Sequence, residues 1–306
     1  MPAELESFNF SELSTITDFI RFGASRFVEA ELSYSHGLSS PLDEAAYLVL
    51  RALNLPVDTP DIYWSSALTK SEKSSVIKIL NKRILDKIPA AYIFKEGWFA
   101  GLQFYVDERV LVPRSPIAEL VENQFSPWID AGEVMNVLDL CTGSGCIGIA
   151  CAYAFPHAEI DLSDVSQNAL EVANMNIDGH DARQRVTTIE SNIFSNLQGK
   201  QYDIIVSNPP YVDAEDMTDL PEEFHHEPEL GLSSGSDGLD LTRVILQQAA
   251  QHLTDNGILV VEVGNSQYAL MELFPEMPFQ WVDFERGGDG VFVLTKPQLE
   301  NLQAAH

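Results

Sequence analysis

The sequence predicts an α/β protein in which a small helical domain precedes a larger domain built on a parallel sheet. In the first third of the chain, apolar residues recur at helical spacing. From residue 134 onward, short apolar runs alternate with helical segments, a pattern typical of a parallel sheet covered by helices. The 306 residues are enough for two domains. We place the helical domain at residues 1–95, a β-hairpin linker at 96–114 and the sheet domain at 115–306.

Three helices are predicted in the N-terminal domain. The first covers residues 11–28, where apolar residues follow helical spacing. The second begins after Ser40, an N-cap residue followed by a proline at the first helical position, and ends before Pro56. The third begins at Thr69, and Glu72 three residues later completes a capping-box pattern.

Seven strands and three long helices are predicted in the sheet domain, after a hairpin at residues 98–112. The strands are expected at 134–138, 158–162, 186–190, 202–207, 258–263, 279–284 and 291–295. The helices are expected at 146–155, 167–177 and 239–253. A glycine-rich turn joins the last two strands, which indicates a hairpin at one edge of the sheet.

The net charge of −28 argues against a protein that grips nucleic acid or an anionic membrane surface through general electrostatics. The chain up to Val110 holds 15 acidic and 11 basic side chains, and the remainder holds 31 and 7, so most of the charge lies in the sheet domain. Two interpretations stay open: a basic protein partner, or surface charge that serves only solubility.

Compartment and metal content follow from the N-terminus, the hydropathy and the cysteines. Residues 1–6 lack the basic and apolar parts of a signal peptide, and no apolar run approaches the roughly 18 residues of a membrane span. We therefore expect a cytoplasmic protein without membrane attachment. The three cysteines show no Cys-x-x-Cys spacing, so neither a metal site nor a disulfide framework is expected.

A glycine-rich turn after the first strand of the sheet domain predicts a nucleotide-type ligand. The segment contains Asp139, Thr142, Gly143, Ser144 and Gly145, and its glycine spacing also fits a dinucleotide fingerprint. Asp164, 21 residues after Gly143, ends the next strand, where a carboxylate accepts ribose hydroxyls. NAD and S-adenosylmethionine both carry such hydroxyls.

Of these two ligands, the charge of Asp139 favours S-adenosylmethionine, the methyl donor. The carboxylate of Asp139 would repel a pyrophosphate but attract the ammonium group of S-adenosylmethionine. The competing interpretation is that Asp139 and Asp164 only cap local turns.

The tetrapeptide Asn208-Pro209-Pro210-Tyr211 follows the fourth strand and supplies the candidate catalytic residues. A residue before proline avoids helical conformations, so the loop is rigid. Asn208 and the carbonyl of Pro209 suit a planar NH₂ group, an amide or an exocyclic base amine, and Tyr211 can stack on it. A rigid turn without function is the alternative interpretation.

Residues 139–148, 164–166, 208–211 and 262–264 together resemble the protein-(glutamine-N5) methyltransferases. This resemblance implies a class I S-adenosylmethionine-dependent fold, a Rossmann-like seven-stranded sheet, preceded by a helical substrate-recognition domain. It implies methylation of a glutamine side-chain amide in a translation protein, with S-adenosylhomocysteine as product. The implied donor-binding residues are Asp139, Thr142, Gly143, Ser144, Gly145, Asp164, Val165, Asn192 and Asn208. Asn192 is a departure, because the family usually has aspartate there.

Within that family, three segments resemble the branch that acts on large-subunit ribosomal protein number three. They are residues 112–120, 212–217 and 226–232. Enzymes for release factors, the alternative substrates, usually carry an acidic residue and threonine after Pro-Arg-Pro. We therefore expect the basic ribosomal protein as the partner, while the sequence does not indicate an oligomeric state.

An acidic run beside the tetrapeptide is the candidate docking surface for that partner. Residues 213–240 hold ten acidic residues and neither lysine nor arginine. We expect Glu222, Glu223, Glu227 and Glu229 to attract the substrate; a merely solvated loop is the alternative.

Two other function classes are compatible with part of this sequence, a DNA methyltransferase and a non-catalytic ribosome-assembly factor. A DNA adenine-amine methyltransferase would use the same tetrapeptide on a flipped base, but the sheet domain lacks the basic residues that hold phosphates. A catalytically idle ribosome-assembly factor would have no use for an intact tetrapeptide. Direct nucleic-acid binding is therefore not expected.

Overall fold

The computed structural model describes residues 10–34, 37–38 and 40–305, which form two compact units. The first unit contains the described residues up to Glu96 together with Pro221–His226. The second contains Gly97–Leu220 and the described residues from Glu227 onward. A short piece of the acidic run therefore groups with the helical unit although both of its flanks belong to the other. Residues 1–6, on which the expectation about a signal peptide depends, lie outside the described residues.

Four α-helices surround one apolar core in the described part of the first unit. They are α1 (Ile16–Glu29), α2 (Pro41–Ala52), α3 (Lys70–Leu85) and α4 (Ala90–Phe94). Their fully buried side chains include Phe19, Phe27, Leu48 and Leu80. The N-caps Ser40 and Thr69 are confirmed, and the Thr69 hydroxyl forms the predicted capping box with Glu72.

The first helix begins later than predicted, because Thr15 and Asp18 form a capping box of their own. Each side chain accepts a hydrogen bond from the other's backbone N–H, at 3.2 Å for Thr15 Oγ1 and 2.8 Å for Asp18 Oδ2. These bonds satisfy N–H groups that would otherwise lack partners at the helix start.

The second unit contains a hairpin and a seven-stranded sheet with helices on both faces. The hairpin pairs β1 (Gly97–Phe99) with β2 (Leu102–Phe104). The sheet strands are β3 (Asn136–Leu140), β4 (Glu159–Asp164), β5 (Val186–Glu190), β6 (Tyr202–Ser207), β7 (Leu253–Glu262), β8 (Gln280–Trp281) and β9 (Val291–Thr295). The helices are α5 (Ile117–Glu122), α6 (Cys146–Ala154), α7 (Gln167–Gly179), α8 (Asp216–Asp219), α9 (Asp240–Gln248), α10 (Gln267–Leu273) and α11 (Lys296–Ala305).

The strand order is β5-β4-β3-β6-β7-β9-β8, and only β9 and its neighbours pair antiparallel. Alternate residues of the central strands enter separate cores: Val137 packs in the core on one face, and Leu138 packs in the core on the other. Continuous burial on both faces explains why these strands are nearly all apolar.

All seven predicted sheet strands are present, but several bounds differ: β3 lies two residues later than predicted, and β7 begins at Leu253 instead of residue 258. The strand expected at 279–284 is reduced to Gln280–Trp281. The helix expected at 239–253 ends at Gln248, and a short 3₁₀ turn, Ala249–His252, leads into β7. Apolar periodicity continues through that turn because Ala249 and Ala250 are buried, so periodicity alone did not mark the helix end. No helix among the described residues is both long and apolar enough to cross a bilayer.

Candidate active site

The predicted site residues lie where the parallel strands of the second unit end. Asp139 is the fourth residue of β3, Asp164 ends β4, and Asn208 directly follows β6. In the sheet, β4 and β5 lie on one side of β3, and β6 and β7 lie on the other, so the strand order reverses at β3. The loops after β3 and β6 therefore border a topological switch point, where α/β sheets bind ligands.

Asp139 organises the glycine-rich turn from inside the protein. It is fully buried, and its Oδ2 accepts hydrogen bonds from the hydroxyl of Thr142 at 2.5 Å and from the N–H of Gly148 at 2.8 Å. A Cβ at Gly148 would lie only 2.1 Å from Leu162 Cδ2, so α6 approaches the sheet this closely only with glycine.

The second oxygen of Asp139 has no hydrogen-bond partner in the part of the chain that the structure describes. Burial raises the pKa of this carboxyl to about 7, and the hydrogen bonds from Thr142 and Gly148 oppose that shift. A buried acceptor without a partner is costly unless a ligand satisfies it. An ammonium group fits that need, whereas a phosphate does not.

Asp164 is held by backbone N–H groups on either side of the expected ribose position. Gly143 donates to Oδ2 at 3.0 Å and Ser166 donates to Oδ1 at 2.9 Å. Burial raises the pKa of this carboxyl as well. Each oxygen keeps lone-pair capacity for a further hydroxyl donor.

Ser144 and Gly145 belong to the turn that enters α6. The carbonyl of Ser144 accepts from Asn176 Nδ2 at 2.8 Å, and the same amide bonds both backbone groups of Tyr105, at 2.7 and 3.0 Å. Asn176 is buried and ties the turn to the chain after the hairpin. Sequence reasoning missed this residue because its spacing within α7 carries no signal.

Val165 and Asn192 present exposed side chains at the same strand ends. Val165, beside Asp164, is half exposed, and Asn192 follows β5. Asn192 also borders a cavity of about 440 Å³. The other lining residues are Ile193, Ser195, Asp240, Leu241, Val244 and Gln248.

The tetrapeptide leaves β6 with its two prolines buried and Asn208 partly exposed. Ser207 fixes the strand end, because its hydroxyl donates to the carbonyl of Leu140 in β3 at 2.6 Å. The carboxamide of Asn208 makes no hydrogen bond with the described residues. Its oxygen and nitrogen are therefore available to a ligand.

Tyr211 is oriented by a hydrogen-bond chain that begins before α5. Ser115 Oγ donates to Glu262 Oε2 at 2.5 Å, and the Tyr211 hydroxyl donates to Glu262 Oε1 at 3.0 Å. Burial and then the charge of Glu262 raise the pKa of Tyr211, and burial raises the pKa of Glu262. The phenol thus stays neutral and fixed by its hydroxyl, and its ring packs against Gly264, where a Cβ would lie only 2.6 Å from Tyr211 Cε2.

The four expected docking carboxylates divide into two pairs. Glu222 and Glu229 are exposed. Glu227 is buried and pairs with both terminal nitrogens of Arg114, and Glu223 is buried and pairs with Arg83. The docking expectation is therefore wrong for Glu223 and Glu227, because their charges are taken up by arginine and shielded from solvent.

The fold and these strand-end residues define a class I methyltransferase. The sequence model described as "Methyltransferase small domain" matches residues 125–236.

Two curated relatives extend the match across the chain, and both carry the name ribosomal protein uL3 glutamine methyltransferase. The one from Francisella tularensis subsp. tularensis is 50% identical over 94% of this chain and 92% of its own. The one from Neisseria meningitidis serogroup B is 49% identical over 94% and 95%. The chain belongs to this family of glutamine methyltransferases.

A solved structure is similar at much lower sequence identity. The catalytic domain of hMettl16 in complex with MAT2A 3′UTR hairpin 6 is 15% identical, with a TM-score of 0.49. The match covers 63% of this chain and 74% of that one.

Proposed function

We propose that this protein transfers the methyl group of S-adenosylmethionine to the side-chain amide nitrogen of a glutamine in ribosomal protein uL3. The single observation that carries the proposal is the placement of Asn208 and its two buried prolines at the end of β6, beside the turn that Asp139 organises. Two relatives at about half identity whose names state this activity support it.

The turn after β3 and the ends of β4 and β5 would hold the methyl donor. Asp139 would accept its ammonium, Asp164 its ribose hydroxyls, and Asn192 its adenine amine. The backbone of residues 142–145 would approach it closely, and Val165 would pack on it. When bound, S-adenosylmethionine supplies an electrophilic methyl group on a positively charged sulfur.

Asn208 and Pro209 would act on the glutamine amide. The Asn208 side-chain oxygen and the Pro209 carbonyl would each accept one N–H of that amide, which raises electron density on its nitrogen and directs its lone pair away from them. Methyl transfer leaves the amide nitrogen positively charged with both of its protons, so one of them becomes acidic and passes readily to Asn208 or to water, and S-adenosylhomocysteine is the other product. Pro210 keeps this geometry fixed, and the Tyr211 ring would pack on the planar amide.

A basic protein is the partner that the charge favours. Glu222 and Glu229 are exposed in the acidic run, and the sheet domain has few of the basic residues that phosphate binding needs. We place the protein in the cytoplasm, where ribosomal proteins are made, and assign substrate recognition to the helical unit.

The substrate assignment is tested by offering several acceptors to the same enzyme. Purified uL3, a release factor and duplex DNA are incubated separately with S-adenosylmethionine, and each is analysed by mass spectrometry. We expect a one-methyl increment on uL3 alone. Methylation of only the release factor would overturn the substrate, methylation of DNA would overturn the reaction, and no methylation of any acceptor would favour an idle assembly factor.

A further inference from the structure

The chain makes a long excursion directly after the catalytic tetrapeptide. We call residues 213–231 the acidic loop. Its neck is closed by two backbone hydrogen bonds: Val212 N–H donates to the Leu232 carbonyl at 2.8 Å, and Ser234 N–H donates to the Val212 carbonyl at 3.0 Å. Both bonds are made by Val212, so the neck of the loop lies directly after Tyr211, within the second unit.

The tip of the acidic loop groups with the helical unit instead. Pro221–His226 belongs to that unit, and the Glu223 carboxylate is almost fully buried there, at 1% exposure. Arg83 Nη1 donates to Glu223 Oε1 at 3.1 Å, and the N–H of Ser33 donates to the same oxygen at 2.8 Å. His226 adds a second attachment, since its Nε2 lies 2.7 Å from the carbonyl oxygen of Asp86.

Arg83 itself is anchored independently of the loop. Its Nε donates to Glu44 Oε1 at 2.5 Å and its Nη2 to the Ser33 carbonyl at 2.7 Å, and the side chain is also only 1% exposed. Burial raises the pKa of Glu223, but the hydrogen bonds from Ser33 and Arg83 outweigh it and keep the group charged. Because Arg83 already forms an ion pair with Glu44 within the helical unit, its guanidinium is held in place before the loop binds. The Glu223 carboxylate then attaches the loop tip to that guanidinium.

A buried ion pair at this place is better explained by positioning than by stability. Removing two charges from water offsets most of the attraction between them, so such a pair adds little net stability. It does fix where the loop tip lies, because any other position would lose the hydrogen bonds that Arg83 and the N–H of Ser33 donate to Glu223. The neighbouring Glu222, by contrast, stays in solvent.

We propose that Arg83 and Glu223 are positioning residues for the methyl-transfer reaction, holding the acidic loop in the form that receives the protein substrate. The inference rests on the proposed function, because it assumes that the tetrapeptide at the loop neck acts on a basic protein. A loop held at both ends loses less conformational freedom when a substrate binds, so the pair lowers the KM for that substrate.

The test compares Glu223→Gln with a matched control, Glu96→Gln. Glu96 is a buried glutamate of the same unit that pairs with Arg51 at 2.7 Å and with the hydroxyl of Tyr47, and neither of these partners belongs to the acidic loop. We expect Glu223→Gln to raise the KM for uL3 about tenfold with kcat changed less than about twofold. Glu96→Gln should lower the melting temperature comparably and leave this KM within about twofold of wild type. Glu223→Asp, which keeps the charge, should restore part of the loss.

Three results would overturn the positioning role. They are a wild-type KM in Glu223→Gln, an equal rise in KM in Glu96→Gln, and a fall in kcat at unchanged KM, which signals only lost folded enzyme. The wild-type enzyme in the same assay separates the two proposals. If it leaves uL3 unmethylated, the proposed function fails; if it methylates uL3 and Glu223→Gln behaves as wild type, only the positioning role fails.

Discussion

Arg114 and Glu227 form a two-pronged ion pair, with Nη1 to Oε1 at 2.6 Å and Nη2 to Oε2 at 2.8 Å. The N–H of Val112 donates to the same Oε1 at 2.9 Å, and the Glu227 carboxylate is buried. The pair joins the segment ahead of α5 to the acidic loop. Residues 112–120 and 226–232, two of the segments that resemble the branch acting on the ribosomal protein, are thus in direct contact.

Glu227→Gln should destabilise the second unit. The amide keeps only one acceptor oxygen for three donors and removes the carboxylate charge that faces the partly buried guanidinium of Arg114. We expect the free energy of unfolding to fall by about 2 kcal/mol, as is typical for a lost charged hydrogen bond. Urea denaturation measures this, and the exposed Glu229→Gln serves as the stability control, with a change of about 0.5 kcal/mol or less. Equal effects of the two substitutions would contradict the role of the pair.

Gly238→Ala should disturb the tetrapeptide directly. Gly238 has a φ of +73°, and a Cβ there would lie 2.1 Å from the carbonyl oxygen of Tyr211. Gly101 has nearly the same φ, +75°, with nothing within 4 Å of a Cβ, so Gly101→Ala controls for backbone strain alone. We expect methylation to fall at least about tenfold in Gly238→Ala, because a small misplacement of reacting groups is costly. Gly101→Ala should keep near-wild-type turnover, and similar losses in both variants would argue against the contact.

Donor binding should depend on pH through Asp139. Its pKa in the folded, ligand-free protein is raised from 3.8 to about 7, and the donor's ammonium stays charged below about pH 7.7. Below about pH 7 the carboxyl becomes neutral, so the dissociation constant should rise by up to about tenfold per pH unit. Calorimetry from about pH 5.5 to 7 measures this, and a pH-independent constant would refute the ammonium role.

The same carboxyl should affect the stability of the ligand-free protein. Because the folded state binds the proton more tightly than the unfolded state, the free energy of unfolding should fall as pH rises from 3.8 toward about 7. Asp139→Asn lacks this titration, so its stability should vary less over that window. Parallel curves for the two proteins, recorded by thermal denaturation, would show that burial does not shift this group.

Asn192→Asp restores the residue usual in the family and should tighten donor binding. A carboxylate accepts a hydrogen bond from the adenine amine more strongly than a carboxamide oxygen does. We expect the dissociation constant for S-adenosylmethionine to fall about fivefold, measured by calorimetry. An unchanged constant would place the adenine amine elsewhere.

Local signals predicted most of the architecture and the strand-end residues. Ser40 and Thr69 cap their helices as their patterns indicated, and Asp139, Asp164 and Asn208 stand at the ends of neighbouring parallel strands. These features depend on residues close in sequence or on the general rule that parallel strands end at one edge of the sheet.

Hydrogen bonds and ion pairs between residues far apart in the chain could not be predicted from the sequence. Ser115 and Glu262 are 147 positions apart, and Arg83 and Glu223 are 140 apart. A charged residue in an acidic run is usually exposed, so nothing local distinguishes the buried Glu223 from the exposed Glu222. Glu227, which is buried against Arg114, was misassigned to docking for the same reason.

The most direct test of the account is tandem mass spectrometry of uL3 after incubation with S-adenosylmethionine and either wild-type enzyme or Asn208→Ala. We predict one methyl group on the side-chain nitrogen of a glutamine with the wild type. With Asn208→Ala we predict no methylation, while calorimetry shows donor binding within about threefold of wild type. A methyl group on a lysine or another site, or undiminished methylation by Asn208→Ala, would contradict the assignment of the tetrapeptide to the glutamine amide.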